Sequence, residues 1–113
     1  GDAVVALRTA LSYAPAERDY QMKLAEALEE AGKTDEALAY FSNLWDQTPG
    51  DGPLNLDLAR LEVKRGDQRD AVRYYHAAIY GTWEGDGVER RREARLELVR
   101  YLLRKQDLAT ART

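Results

Sequence analysis

His76 is the only histidine among the 113 residues, and cysteine is absent. A bound metal needs several His, Cys or carboxylate ligands that converge. No such set recurs at ligand spacing here, so His76 reads as an exposed or edge-packed side chain on a helix. Ser12 and Ser42 are the two serines, and neither stands in the sharp turn that exposes a nucleophile. The carboxylate pairs Glu29-Glu30 and Asp35-Glu36 fall at helix ends, where they solvate the chain and complement the helix dipole. Gly85-Asp86-Gly87 lacks the preceding strand that a phosphate-cradling glycine loop requires. The sequence therefore predicts no catalytic residue, no cofactor and no metal, and it favours a binding protein over an enzyme.

The charge pattern points the same way. About a third of the side chains are charged and the sequence pI is 5.2, well below the basic footprint of a nucleic-acid binder. The net charge is −6 over residues 1–51 and +3 over 52–113, a two-signed surface that could orient a protein partner. No apolar run approaches the roughly 18 residues that span a bilayer, so this segment is not expected to insert into a membrane.

What must position these charges is a repeat. Leu24-Ala25, Gly32, Ala37, Tyr40-Phe41 and Leu44-Trp45 return 34 residues later as Leu58-Ala59, Gly66, Ala71, Tyr74-Tyr75 and Ala78-Ile79. One period earlier stand Ala3, Leu7, Ala10-Leu11 and Pro15, the last in the place of Pro49. Apolar residues at helical spacing predict a first helix over 2–13 with Ala3, Ala6-Leu7 and Ala10-Leu11 inward, ended by Pro15. A second helix follows over 17–31, ended by Gly32. A third, over 35–47, has Thr34 and Asp35 as N-cap candidates. Asp51 caps a fourth helix that runs to about Arg65, with Pro53 in its first turn. Gly66 closes it, and Asp67 caps a fifth helix over 68–80. A loop from Gly81 to Gly87 breaks the period. A sixth helix over 88–105 carries Leu96, Leu98-Val99 and Leu102-Leu103. Gln106 then stands where Gly32 and Gly66 stood, and Ala111 where Ala37 and Ala71 stood, so a last helix has only begun. No strand is predicted.

A fixed period of this length with small, large and glycine residues at constant offsets resembles the tetratricopeptide repeat, a 34-residue helix-turn-helix. The signature positions are Gln21, Leu24, Ala25, Leu28, Gly32, Ala37, Phe41, Leu44 and Pro49, then Asn55, Leu58, Ala59, Glu62, Gly66, Ala71, Tyr75, Ala78 and Trp83. Two departures stand out: the aromatic expected at the fourth position is missing from both copies, and Trp83 replaces the proline. The resemblance implies an all-α solenoid of stacked antiparallel helix pairs, about six helices plus a C-terminal stub. Residues 1–15 would be the second helix of a preceding repeat, 18–51 and 52–85 two repeats with the loop inserted at the end of the second, and 88–113 a partial repeat. A chain that starts and stops in mid-repeat reads as a fragment of a longer array whose ends associate with one another. Any localisation signal would then lie outside it.

In this family the first helix of each pair lines the binding groove. The resemblance assigns Met22, Lys23, Glu26 and Glu30 to it from one repeat, Leu56, Asp57, Arg60 and Lys64 from the next, and Leu96, Glu97, Arg100 and Arg104 from the last. The positions that grip a C-terminal carboxylate in chaperone adaptors hold Met22, Glu26, Asp57, Glu93 and Glu97 here, and acids there would repel a carboxylate. Tyr40, Phe41, Trp45, Tyr74 and Tyr75 are read as core. Trp83 either plugs the widened joint or stands out as a partner anchor. A narrower likeness, in Ala77-Ala78-Ile79-Tyr80-Gly81-Thr82-Trp83 and Arg95-Leu96-Glu97-Leu98-Val99, is similar to the periplasmic repeat region of Pel-type exopolysaccharide export proteins of Gram-negative bacteria. It implies a scaffold in a biofilm polysaccharide secretion system, in the periplasm beneath the outer membrane. Its implied partner is a polysaccharide deacetylase/hydrolase. A cytosolic adaptor or regulatory domain, and an oligomerisation spacer with no ligand, remain open at this stage.

Overall fold

The computed structural model describes the backbone of residues 2–14 and 17–111 and the side chains of 3–14 and 17–107. Pro15 and the side chain of Ala111 lie outside these described residues. Six helices follow in chain order: α1 (Asp2–Tyr13), α2 (Arg18–Glu30), α3 (Thr34–Gln47), α4 (Gly52–Arg65), α5 (Gln68–Ile79) and α6 (Gly87–Ala111). Each packs on the next to give an elongated stack of 54 × 30 × 22 Å. Among the described residues no helix is long and apolar enough to cross a membrane.

The helix ends follow from local chemistry. Gly32 and Gly66 sit at φ +80° and +79°, a left-handed conformation that costs a residue with a Cβ about 1 kcal/mol or more. After each glycine the next amide turns back onto the helix just finished: Lys33 N to Leu28 O at 2.9 Å and Asp67 N to Glu62 O at 3.0 Å. That residue is the N-cap of the following helix. Asp67 accepts from Asp70 N at 3.0 Å. In the other turn the slot holds Lys33, which has no acceptor to offer, and no side chain caps α3. Thr34 and Asp35 are thus already inside the helix, one and two residues too late to cap it. Asp51 caps α4 as expected, through Leu54 N at 3.2 Å.

Two clusters make up the core. Val4, Leu24, Ala25, Leu28, Ala37, Phe41, Leu44, Leu54, Leu58 and Leu61 form the first. Leu56, Ala59, Ala71, Tyr75, Ala78, Ile79, Ala94, Leu98 and Tyr101 form the second. α4 serves both. It buries Leu54, Leu58 and Leu61 on one side and Leu56 and Ala59 on the other, each large side chain contributing roughly 2 kcal/mol. On α1 the buried residue is Val4, with Leu7 and Leu11 beside it, while Ala3 and Ala6 are exposed. Its main packing is on α2, with Arg8 reaching Glu36 of α3 at 2.7 Å, and these contacts select a face rotated from the expected one.

The core also holds a polar residue in the fourth repeat position. Asn55 is fully buried, accepts from Trp45 Nε1 at 3.1 Å, and donates to Pro49 O and Asp51 O at 2.9 and 2.8 Å. With both ends of its amide satisfied, the residue stitches the turn between α3 and α4 where an aromatic would only have filled space. Arg18 ties the same turn down, reaching Asp51 Oδ2 at 2.8 Å.

The loop after α5 closes on this turn. Gly52 N donates to Thr82 O, and Thr82 N to Gly50 O, both at 2.8 Å. Trp83 lies over Gly52, where a Cβ would enter the indole ring. Its Nε1 donates to Ala78 O at 2.8 Å, and the Arg90 guanidinium covers the ring at 5.3 Å. Trp83 therefore plugs the widened joint. α6 departs from expectation in two respects. It continues unbroken past Gln106, since that residue is helical and not a left-handed glycine, so the predicted stub is one with α6. Among its described side chains Ala94, Leu98 and Tyr101 are buried, whereas Leu96, Val99, Leu102 and Leu103 are exposed, because α5 is the helix that packs most strongly against it.

Candidate functional site

The first helices of the pairs, α2, α4 and α6, leave one face open. Their polar side chains line a groove with a cavity of about 470 Å³. α2 supplies Glu26, Glu29 and Glu30; α4 supplies Asp57, Arg60 and Lys64; α6 supplies Glu97 and Arg104. Phe41, Leu61, Val63 and Tyr75 complete the lining. The helical repeat sets this: Glu26 and Glu30, or Arg60 and Lys64, are four residues apart and share a face.

Most of the expected groove residues meet here, and some do not. Leu56 is 8% exposed and packs in the second core cluster, since an aliphatic side chain gains more there than in a charged groove. Met22 lies one turn before Glu26, near the N-terminus of α2. There it faces a second cavity of about 510 Å³, with Arg18, Asp51, Trp83 and Arg90. Lys23, Leu96 and Arg100 are exposed but do not line the groove cavity. Glu29 and Tyr75 line it unannounced. Tyr75 was read as core, which its ring is, but a phenol at the end of a ring can pack and still reach a polar partner.

Two electrostatic nodes define the groove. At the first, Glu97 accepts from Arg60 in a fork: Nε to Oε2 at 2.9 Å and Nη2 to Oε1 at 2.8 Å. Tyr75 Oη donates to Glu97 Oε2 at 2.7 Å. Burial alone would raise the Glu97 carboxyl; the hydrogen bonds from Arg60 and Tyr75 outweigh it and hold the carboxyl below its ordinary value. The Tyr75 phenol is pushed far up, by burial first and then by its bond to Glu97. At the second node, Asp57 on α4 shares a hydrogen bond with Glu26 on α2. Burial, then that bond and the Glu26 charge, push Asp57 up to about 8, against the opposing pull of Arg60. Beside them Lys64 Nζ meets Glu29 Oε1 at 2.8 Å.

The residues that could have done chemistry stand apart. His76 is exposed and stacks on Tyr80 at 6.4 Å. Ser12 donates to Thr9 O at 2.6 Å within its own helix. Glu62, Asp67 and Asp70 bring ligand atoms within 4.8 Å of one another. Each already has work: Glu62 pairs with Arg65, Asp67 caps α5, and Asp70 lies 3.5 Å from Arg73. The acids expected to repel a carboxylate are present in the groove as Glu26, Asp57 and Glu97.

No curated protein matches the chain. A tetratricopeptide repeat model matches residues 28–80, and a second model of that repeat matches residues 1–52 and 56–113. Together with the stacked helix pairs and the glycine turns at Gly32 and Gly66, these matches show that the chain belongs to the tetratricopeptide repeat family, a scaffold for protein–protein interaction.

Proposed function

We propose that the groove across α2, α4 and α6 docks a segment of a protein partner and that the domain works by holding that partner, with no catalytic step of its own. The observation behind this reading is the open face itself. The first helices bury one side in the core and on the other present charges of both signs around a cavity of about 470 Å³. Such a surface sets orientation and encounter rate more than raw affinity. The partner class proposed is a periplasmic polysaccharide deacetylase/hydrolase of a bacterial exopolysaccharide secretion system. The support for it is the likeness of residues 77–83 and 95–99 to Pel-type export proteins.

Titration of this chain against a purified deacetylase/hydrolase of that class tests both levels. Saturable binding that the double change Asp57→Lys with Arg104→Glu abolishes supports the reading. Binding untouched by the double change moves the site off the groove, and absence of binding removes the proposed partner.

A further inference from the structure

The groove's charges are unevenly committed. The Arg60 guanidinium is held by Glu97 in three N–H···O contacts of 2.8 to 3.2 Å. The Lys64 ammonium is held by Glu29 Oε1 at 2.8 Å. The other oxygen of Glu29, Oε2, is buried and has no hydrogen-bond partner among the described residues. The α2 wall of the cavity is thus Glu26, Glu29 and Glu30, facing Asp57, with Arg60 and Lys64 already paired and Arg104 of α6 the third cation of the lining. A buried acceptor left unsatisfied is destabilising, so this side of the cavity is short of donors.

We propose that the α2 side of the groove receives one basic side chain of the docked partner, an arginine seated between Glu26 and Asp57, toward which Glu29 turns its buried, unpartnered Oε2. The proposal rests on the reading of the groove as the docking face and adds the chemistry of what docks. A guanidinium suits the place because it is planar and carries five N–H donors, enough to bridge two carboxylates and reach a third oxygen. An acidic or apolar side chain would leave the orphaned acceptors as they are.

Entry of the cation displaces a proton. In the free groove Asp57 keeps its proton up to about pH 8, and that proton lies in the hydrogen bond with Glu26. On binding, the Asp57 O–H bond breaks, the proton leaves to solvent, and a guanidinium N–H takes its place. The surrounding groups are Glu29 and Glu30 on α2, Asp51, Arg60 and Lys64 on or beside α4, Tyr75 on α5, and Glu97 and Arg104 on α6. Tyr75 is held neutral and Glu97 charged, by the shifts described above. Affinity for the cation should therefore rise about tenfold per pH unit between pH 6 and 8 and level off above, as one displaced proton requires.

The test titrates acetyl-arginine amide into the carbon-13-labelled full chain at pH 6, 7, 8 and 9, with acetyl-norleucine amide and acetyl-glutamate amide as controls. The readout is the side-chain carboxyl carbons. Saturable shifts at Asp57 and Glu26 with the arginine probe alone, weakening about tenfold per unit below pH 8, are the expected result. Asp57→Asn and Glu26→Gln should each weaken binding and flatten its pH dependence, with an unchanged backbone amide spectrum to show that the fold is intact. Equal response to norleucine, shifts spread over all surface carboxylates, or pH-independent binding overturns the proposal. Peptides selected from a random-sequence display library separate it from the broader reading. Peptides that cross-link within the groove yet lack a basic residue sink the arginine receptor and leave docking intact. Failure of every selected peptide to map to the groove sinks docking itself.

Discussion

Asp57 and Glu97 line one cavity, and burial works on both in the same upward direction, yet they end on opposite sides of the ordinary carboxylate range. The difference is what each meets. Glu97 receives a forked guanidinium and a phenol, both donors, and stays ionised. Asp57 meets another carboxyl and keeps a proton. The two joints differ in backbone too, since the loop from Gly81 to Gly87 precedes α6, but the opposite shifts of the two carboxyls come from the side chains each one meets. The joint between α4 and α6 is electrostatically closed. The joint between α2 and α4 is left wanting a cation. That contrast makes the second joint the better candidate for recognition and the first for stiffness.

The comparison breaks most severely if α6 is loosened. Trp83→Ala removes the ring that packs over Gly52 and the bond to Ala78 O. Its ring is part-buried, so the expected loss is about 2–3 kcal/mol, somewhat below that of a fully buried aromatic, read by urea denaturation at pH 7. The Tyr75–Glu97 bond should slacken with it, and the alkaline absorbance titration of Tyr75 should move down toward 10, the value for a free phenol. Asp57, between α2 and α4, should keep its raised titration. Stability unchanged within about 0.5 kcal/mol would mean that the indole is an exposed anchor and not a plug.

A narrower cut leaves Trp83 in place and removes the fork, together with the pull of Arg60 on Asp57. Arg60→Met leaves the Glu97 carboxylate with the phenol alone. Arg60 is about half exposed, so solvent screening holds the cost to about 1–2 kcal/mol. Carbon-detected titration should show the Glu97 carboxyl rising. A Glu97 that titrates as before would show that the fork is a surface pair of no consequence.

The opposite signs of the two shifts give a third prediction. A carboxyl raised on folding contributes stability that is complete below its unfolded value, near 3.8, and is lost as pH rises through about 8. Glu97 runs the other way, contributing above its ordinary 4.5 and losing that contribution as acid brings the pH down through its lowered folded value. Asp57→Asn should remove the decline between pH 4 and 8 and leave the acid limb in place. Urea midpoints measured at half-unit pH steps decide it; a decline that survives the substitution would locate its origin elsewhere.

The fold was legible because its determinants are local. Gly32 and Gly66 end helices by their own conformation, Asp51 and Asp67 cap by reaching three residues along, and the apolar stripes need only periodicity. Groove positions for Glu26, Glu30, Asp57, Arg60, Lys64, Glu97 and Arg104 were implied by the family resemblance, and these residues line the cavity. What stayed hidden depends on neighbours brought in through space. Asn55 looks like a lost aromatic until Trp45 and the Pro49 carbonyl are seen around it. Leu56 looks exposed by register until α5 and α6 close over it. The run of α6 past Gln106 reflects a missing stop signal, which a repeat alignment filled by analogy.

The smallest effect on stability should be the most telling for recognition. Lys64 is 65% exposed in its side chain, and Glu29 is 14% exposed. Lys64→Met leaves that mostly buried carboxylate without its partner, a loss that water offsets in part, so the expected cost is about 1 kcal/mol, at the low end for an unsatisfied buried acceptor. The same change frees Glu29 Oε1 as well as the unpartnered Oε2, and it removes a positive charge from the edge of the cavity. If the joint between α2 and α4 is short of a cation, losing Lys64 deepens the shortage, and acetyl-arginine amide should bind several-fold more tightly at pH 8. The matching loss at the other joint, Arg60→Met, frees Glu97 and should draw the probe there. Carboxyl shifts in each variant then report which node holds the ligand. Tighter binding with shifts confined to Glu26, Glu29 and Asp57 keeps the two joints distinct in kind, whereas weaker binding in Lys64→Met would make the lysine a partner in recognition and not a competitor for it.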